Sequence, residues 1–265
     1  MSHTPRKRFG QHFLHDPAVI DRIVAAIQPR EPETLVEIGP GQGAITLPLL
    51  RACGRLQVIE LDRDLIEPLR RRCAPAGELI LHNADALRVD FCGLAGRATL
   101  LRVVGNLPYN VSTPLLFHLL AQARCISDMH FMLQKEVVDR LAAAPGTRQY
   151  GRLSVMVQYR CRVTPLFAIG PGAFQPAPRV QSAFVRLEPY REPPVAVRND
   201  TMLETLVRQA FAQRRKTLKN ALRGMLGQDD IRSAGVDPST RAEMLGLEAF
   251  AALADRAADR HDDTG

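Results

Sequence analysis

Thr34-Leu35-Val36-Glu37-Ile38 reads as a buried strand, and it passes directly into Gly39-Pro40-Gly41-Gln42-Gly43 and then a helical run from Ala44 to Cys53. Few folds accept a strand, a glycine turn and a helix start in that order. Glycines let the chain reverse sharply and bring its backbone against a ligand, and the amides of the helix start offer hydrogen bonds to it. The unit then recurs. Strand-like runs at Leu56 to Glu60, Glu78 to His82, Leu100 to Val104 and His130 to Leu133 lie among helix-like runs at Asp62 to Cys73, Ser112 to Arg124 and Lys135 to Ala143. That alternation predicts an α/β chain folded as a doubly wound sheet, which binds ligands at the carboxyl ends of its strands.

Polar residues fall at those ends. Glu60 closes the second strand, where a carboxylate can take both hydroxyls of a ribose, and Asp85 ends the third unit, where a carboxylate can accept from an adenine amino group. Gly39, Gly41 and Ala44 also satisfy Gly-x-Gly-x-x-Ala, so a nicotinamide or flavin enzyme has to be considered beside other nucleotide-type cofactors. The fourth strand end discriminates. It carries Asn106-Leu107-Pro108-Tyr109, which points to methyl transfer onto an exocyclic amino group. The lone pair of such a nitrogen is delocalised into the base, so the nitrogen needs acceptors that hold its protons while it pyramidalises toward a methyl donor. An Asn side-chain carbonyl and the backbone carbonyls beside a Pro supply them. Tyr109 adds a flat face for a splayed-out base, and Pro108 stiffens the turn without an amide proton of its own. Asn-Leu-Pro-Tyr has no role in hydride transfer.

The charge is unevenly placed. The chain carries +7 overall, but from Gly224 to Gly265 there are four Arg or Lys against nine Asp or Glu, so Met1 to Arg223 carries +12. The excess peaks at Arg208, Arg214, Arg215, Lys216, Lys219 and Arg223, with Glu204 the one acid between Thr201 and Arg223. Phosphate neutralisation is the obvious use; the alternative is a solvated helix face, in which the like charges repel. Arg6, Lys7 and Arg8 form a second basic group able to order on RNA. Five scattered cysteines, Cys53, Cys73, Cys92, Cys125 and Cys161, fit reduced thiols rather than a disulfide framework, and no metal-ligand spacing appears. No apolar run reaches membrane-span length and the start has no secretory pattern, so a cytoplasmic chain without a membrane partner is expected.

The remaining segments complete the organisation. Asp16 and Pro17 can start a helix through Ile27, and strands at Arg162 to Phe167 and Ser182 to Leu187 can pair as a hairpin around the loop from Ala168 to Gln181. Periodicity fades around Pro189, Pro193 and Pro194, a linker, and Thr201 to Arg256 reads as several short helices.

The sequence resembles the ribosomal RNA adenine N6,N6-dimethyltransferases, over nearly the whole chain. The likeness is carried by residues 7–14 (KRFGQHFL), 36–43 (VEIGPGQG), 60–62 (ELD), 83–86 (NADA), 105–110 (GNLPYN), 131–137 (FMLQKEV), 174–182 (FQPAPRVQS) and 211–218 (FAQRRKTL). It implies a Rossmann-like class I S-adenosylmethionine-dependent methyltransferase sheet with a small all-helical C-terminal domain. Residues 1–190 would form the cofactor-binding catalytic domain and 191–265 the helical RNA-contacting domain. By position, the resemblance gives His12, Leu14, Gly39, Gly41, Glu60, Asp85 and Asn106 to S-adenosylmethionine, and Asn106, Leu107, Pro108 and Tyr109 to the target base. Many members have Asn where this chain has His12; both side chains donate and accept. Phe174, amid glycines and prolines, either plugs the end of the core or closes an aromatic clamp on the base opposite Tyr109, and the resemblance favours the clamp. Arg214, Arg215, Lys216 and Lys219 would meet RNA.

The function so implied is dimethylation of two adjacent adenosines in the 3′-terminal hairpin of small-subunit (16S) rRNA, by a monomer acting on a 30S assembly intermediate. Two rivals stand beside it. A large-subunit rRNA adenine N6-methyltransferase shares most of the catalytic motifs, and a non-catalytic RNA-binding assembly or transcription factor can be built on the same scaffold.

Overall fold

In the computed structural model the described residues are 12–95, 100–109 and 111–262. Arg6, Lys7, Arg8 and Asn110 lie outside them. The chain divides into two compact units, one drawn from Met1–Val138 and Val163–Pro189, the other from Asp139–Arg162 and Tyr190–Gly265. The first is built on a sheet and the second on helices. The sequence placed a single boundary near residue 190; the contacts also group residues 139–162 with the C-terminal helices.

The first described elements are strand β1 (Phe13–Leu14) and helix α1 (Pro17–Ile27). Asp16 starts α1 by accepting from the amides of Ala18 at 2.9 Å and Val19 at 3.2 Å, and Pro17 sits at its first position, where a missing amide proton costs nothing. Next come β2 (Thr34–Ile38), α2 (Thr46–Cys53), β3 (Arg55–Glu60), α3 (Arg63–Cys73), β4 (Glu78–Asn83), α4 (Phe91–Ala95), β5 (Leu101–Asn106), α5 (Ser112–Ala121) and β6 (Ile126–Gln134). Helices α6 (Lys135–Leu141) and α7 (Arg152–Arg160) precede β7 (Cys161–Ile169), β8 (Phe174–Gln175) and β9 (Ser182–Pro189).

The main sheet has seven strands in the order β4-β3-β2-β5-β6-β9-β7. The pairs from β4 to β6 are parallel and β6·β9 is antiparallel. Strand order reverses between β2 and β5, which makes the carboxyl ends of those two strands the switch point where such sheets open a ligand crevice. Leu35, Val36, Val58, Val103 and Val104 are buried, as the near-continuous apolar runs of parallel strands require. At the opposite edge Arg102 ties the unit together. Its guanidinium donates to Asp128 at 3.0 Å, to Glu33 at 2.6 Å and to the carbonyl of Ile27, at the end of α1, at 2.5 Å.

Helix α7 is absent from the sequence reading. Leu153, Ser154, Val155, Met156, Val157 and Tyr159 are all buried, so the segment has no polar face and no helical period to detect. The expectation of reduced cysteines is corrected for one pair. Cys92 in α4 is bonded to Cys125 in the turn at Ala123–Cys125, their Cα atoms 5.3 Å apart, within ordinary disulfide reach. Cys53, Cys73 and Cys161 are free and buried.

In the helical unit, α8 (Asp200–Ala212), α9 (Leu218–Ala221), α10 (Gln228–Ser233) and α11 (Leu247–Asp262) follow the prolines. Asn199 caps α8 by accepting from the Met202 amide at 3.0 Å. Leu203, Leu206, Val207 and Ala210 form its buried stripe, and Phe211 packs on Phe250 of α11 with ring centroids 5.8 Å apart. Among the described residues no helix is long and apolar enough to cross a membrane.

Candidate active site

A cavity of about 380 Å³ opens at the switch point. Its walls come from the ends of β2 to β5 and from the chain entering β1. Gly105 lets the two central strands meet there: a Cβ at this position would stand 2.5 Å from the Ile38 carbonyl oxygen. Gly41 holds φ +56°, a left-handed backbone that suits glycine, and its amide donates to Glu60 Oε2 at 3.2 Å. Glu60 thus joins the glycine turn to the end of β3. Its other oxygen accepts from the Asp62 amide at 2.8 Å, and burial pushes the carboxyl upward against these two amide donors.

Asp85 stands on the same wall. Its Oδ1 accepts from the Leu87 amide at 3.0 Å, which caps the short turn Ala86–Arg88 on the cavity wall. Asn106 ends β5 beside Gly39. Its side-chain amide nitrogen donates to the His12 carbonyl at 3.0 Å. Tyr109 lies 5.8 Å from the His12 ring in a stacked arrangement, interplanar angle 26°, and its hydroxyl shares a 2.8 Å hydrogen bond with the buried hydroxyl of Ser182. Burial raises the Tyr109 phenol above its usual range, with the Ser182 bond opposing.

The segment from His12 to Leu14 is a wall of the cavity because the loop before β9 holds it. His12 Nδ1 donates to the Pro176 carbonyl at 2.7 Å, Phe13 and Leu14 pair with Gln175 and Phe174, and the His15 amide donates to Ala173 O at 3.0 Å. His12, Leu14, Gly39, Gly41, Glu60, Asp85, Asn106, Leu107, Pro108 and Tyr109 therefore converge on one cavity.

Phe174 does not. Its backbone pairs with Leu14, which does line the cavity, and Phe174 itself is 2% exposed in the core cluster that also holds Leu14, Ile169 and Phe184. In this structure the ring packs as the other reading of that residue has it, against the core.

Glu37 was missed. It lines the cavity at 1% exposure, and its Oε2 has no hydrogen-bond partner among the described residues. Burial pushes its carboxyl up to about 8; the nearby Thr46 hydroxyl opposes this and the Glu60 charge adds to it. The signal was available: an acid inside the otherwise apolar run Leu35-Val36-Glu37-Ile38 of a central parallel strand. No cluster of metal-ligating side chains is present among the described residues.

The basic segment lies in the helical unit, and its members differ. Arg214 is committed internally, donating to Glu243 at 3.0 Å and to the carbonyls of Arg148 and Tyr150. Arg215, Lys216 and Lys219 are exposed; Lys219 helps to hold the Asp237 carboxyl below its usual range.

A mostly parallel sheet with a glycine turn, two strand-end carboxylates and an Asn-Leu-Pro-Tyr turn at one switch point is the frame of the class I methyltransferases. The family described as ribosomal RNA adenine dimethylase matches residues 2–259, and the chain belongs to it. The chain is 58% identical over 257 residues to the ribosomal RNA small subunit methyltransferase A of Pseudomonas aeruginosa, spanning 97% of this chain and 96% of that protein. It is 56% identical to the protein of the same name from Nitrosococcus oceani, over 96% of each. Among solved structures, a dimethyladenosine transferase from Plasmodium falciparum superposes with a TM-score of 0.76 at 26% identity, covering 91% of this chain and 96% of that one. The 23S rRNA methyltransferase ErmE shares the fold, with a TM-score of 0.71 at 23% identity over 93% of this chain and 99% of its own.

Proposed function

We infer that this protein dimethylates the N6 amino groups of two adjacent adenosines in the 3′-terminal hairpin of small-subunit rRNA, using S-adenosylmethionine, during assembly of the subunit. The observation that carries this reading is the orientation of Asn106. With its amide nitrogen held by the His12 carbonyl, the side-chain oxygen is the atom left to accept an N–H from a base.

The residues present fit the cofactor. The cavity has the size of a small-molecule site, and it offers the Gly39–Gly41 turn, two carboxylates at strand ends and the unpartnered buried oxygen of Glu37. When bound, S-adenosylmethionine supplies a sulfonium methyl, reactive enough that no activated general base is needed. Glu60 takes the ribose hydroxyls, and the Asp85 oxygen that is not capping Leu87 accepts from the adenine amino group. His12, Leu14, Gly39 and Gly41 shape the walls.

At the target, Asn106 Oδ1 and the carbonyl beside Pro108 accept the N6 protons, turning the nitrogen lone pair out of the plane of the base. Tyr109 supplies the stacking face, steadied through its hydroxyl by Ser182. The methylated nitrogen is acidic and loses its proton to water or to one of these carbonyls. For the second transfer the remaining N–H turns into the same acceptor site. The helical unit docks the RNA through the exposed charges of Arg215, Lys216 and Lys219. The working enzyme is a cytoplasmic monomer, and its substrate is a 30S assembly intermediate.

The test is incubation with labelled S-adenosylmethionine and unmethylated small subunits, followed by mapping of the modified nucleotides. Label on two neighbouring adenosines near the 3′ end supports the reading. Label elsewhere in the small subunit, or RNA binding without transfer, overturns it.

A further inference from the structure

The glycine turn of the cavity is braced on its outer side by α3. Gly43 holds φ +82°, and a Cβ there would stand 2.7 Å from Leu69 Cδ1, so this helix packs directly against the turn. From the last turn of α3, Arg72 reaches across and donates to the Gln42 carbonyl at 2.7 Å. Its neighbours are used differently. Arg70 and Arg71 both donate to Glu67, within their own helix, at 3.3 Å and 2.9 Å.

A turn with glycine at positions 39, 41 and 43 has little preference of its own among backbone conformations, because glycine adopts either sign of φ at low cost. Contacts from outside the turn must therefore select one. Two of its peptide groups are held by side chains: the Gly41 amide by Glu60, and the Gln42 carbonyl by Arg72. The peptide that joins Gln42 to Gly43 is fixed at both ends, since the Gly43 amide donates to the Pro40 carbonyl at 2.8 Å. Pro40, Gly41 and Gln42 are walls of the cavity, whereas Arg72 is exposed and stands outside those walls.

We propose that Arg72 is a positioning residue for the methyl donor: by holding the Gln42 carbonyl it selects the conformation of the glycine turn that S-adenosylmethionine binds. The proposal rests on the reading of this cavity as the cofactor site. Without Arg72 the turn spreads over several conformations, the binding-competent one becomes a fraction of the whole, and the apparent affinity falls by that fraction. Once bound, the cofactor itself holds the turn, so the loss falls on binding rather than on transfer.

The test is calorimetry of S-adenosylmethionine binding to the full chain, together with KM for S-adenosylmethionine and kcat on unmethylated small subunits. Arg72→Met keeps the aliphatic stem and drops the donor. It is expected to weaken binding and raise KM by roughly 3- to 10-fold, the scale of one hydrogen bond, with little change in kcat at saturating cofactor. Arg72→Lys restores a donor and should recover most of the affinity. Arg70→Met removes an equal charge from the same turn of α3 and should change neither binding nor KM. Wild-type affinity in Arg72→Met overturns the proposal. So does a loss that Arg72→Lys fails to recover, which makes Arg72 a packing residue of α3 alone. Weaker binding of the subunits with cofactor affinity unchanged assigns the charge to RNA and overturns it too. Wild-type protein that does not bind S-adenosylmethionine sinks the reading of the cavity along with it.

Discussion

The side-chain amide of Asn106 is anchored to the backbone carbonyl of His12, 94 residues earlier, by a 3.0 Å hydrogen bond. The anchor sets which way round the Asn106 amide stands, and so which of its atoms meets the target base. Asn106→Ala is expected to abolish or nearly abolish methyl transfer while RNA affinity stays within a few-fold, because Asn106 touches no phosphate in this scheme. Single-turnover transfer and RNA binding, measured on the same preparation, check it.

Glu60 and Asp85 make a separable prediction. Glu60→Ala should weaken S-adenosylmethionine binding by roughly 1.5 to 3 kcal/mol, the scale of a lost charged hydrogen-bond partner. Asp85→Ala should weaken it too, and unchanged calorimetric affinity in both would show that the carboxylates serve only as caps.

Glu37 predicts a pH dependence of stability in the ligand-free protein. Its carboxyl is raised from 4.5 to about 8 on folding, so the folded state holds its proton more tightly than the unfolded chain. The associated stability is fully present below about pH 4.5 and is lost as pH rises through about 8, on the order of 5 kcal/mol in all. Glu37→Gln should flatten urea-unfolding free energy across that window and unfold later than wild type at pH 9.

Arg102→Met should destabilise the sheet unit by about 3 kcal/mol, since Asp128 and Glu33 lose their shared partner and Asp128, 7% exposed, keeps only His130 and the more distant Arg186. Arg102→Met combined with Asp128→Leu should recover most of the loss in chemical denaturation.

Arg215→Gln with Lys216→Gln should reduce the salt slope of RNA binding by roughly 0.7 to 0.9 per contact and leave cofactor affinity alone. Arg214→Gln should instead lower the melting temperature, because Arg214 bridges Glu243 and the 148–150 backbone.

The contrast between Arg214 and its neighbours shows what a sequence yields here. A run of cations is visible in one dimension, but the carbonyls of Arg148 and Tyr150, more than sixty residues away, decide which member is spent on the fold. The strand ends were legible because a parallel sheet needs apolar strands and puts its polar residues just beyond them, as with Glu60, Asp85 and Asn106. Helix α7 was not, because burial on nearly all sides erases the period that marks a helix. Phe174 was legible only as a choice of two, because aromatic rings among glycines and prolines suit both clamps and cores. The pairing of its backbone with Leu14 turns the ring into the core.

Gly105 has a consequence for anyone wishing to redirect this scaffold. The glycine turn after β2 and the Asn-Leu-Pro-Tyr turn after β5 look like exchangeable cassettes, yet they grow from strands in contact at Ile38 and Gly105, with no room for one methyl group between them. A grafted loop at 106–109 that displaced β5 would drag the cofactor turn with it. New target specificity on this frame must be written into side chains at the existing backbone, with Gly105 left untouched.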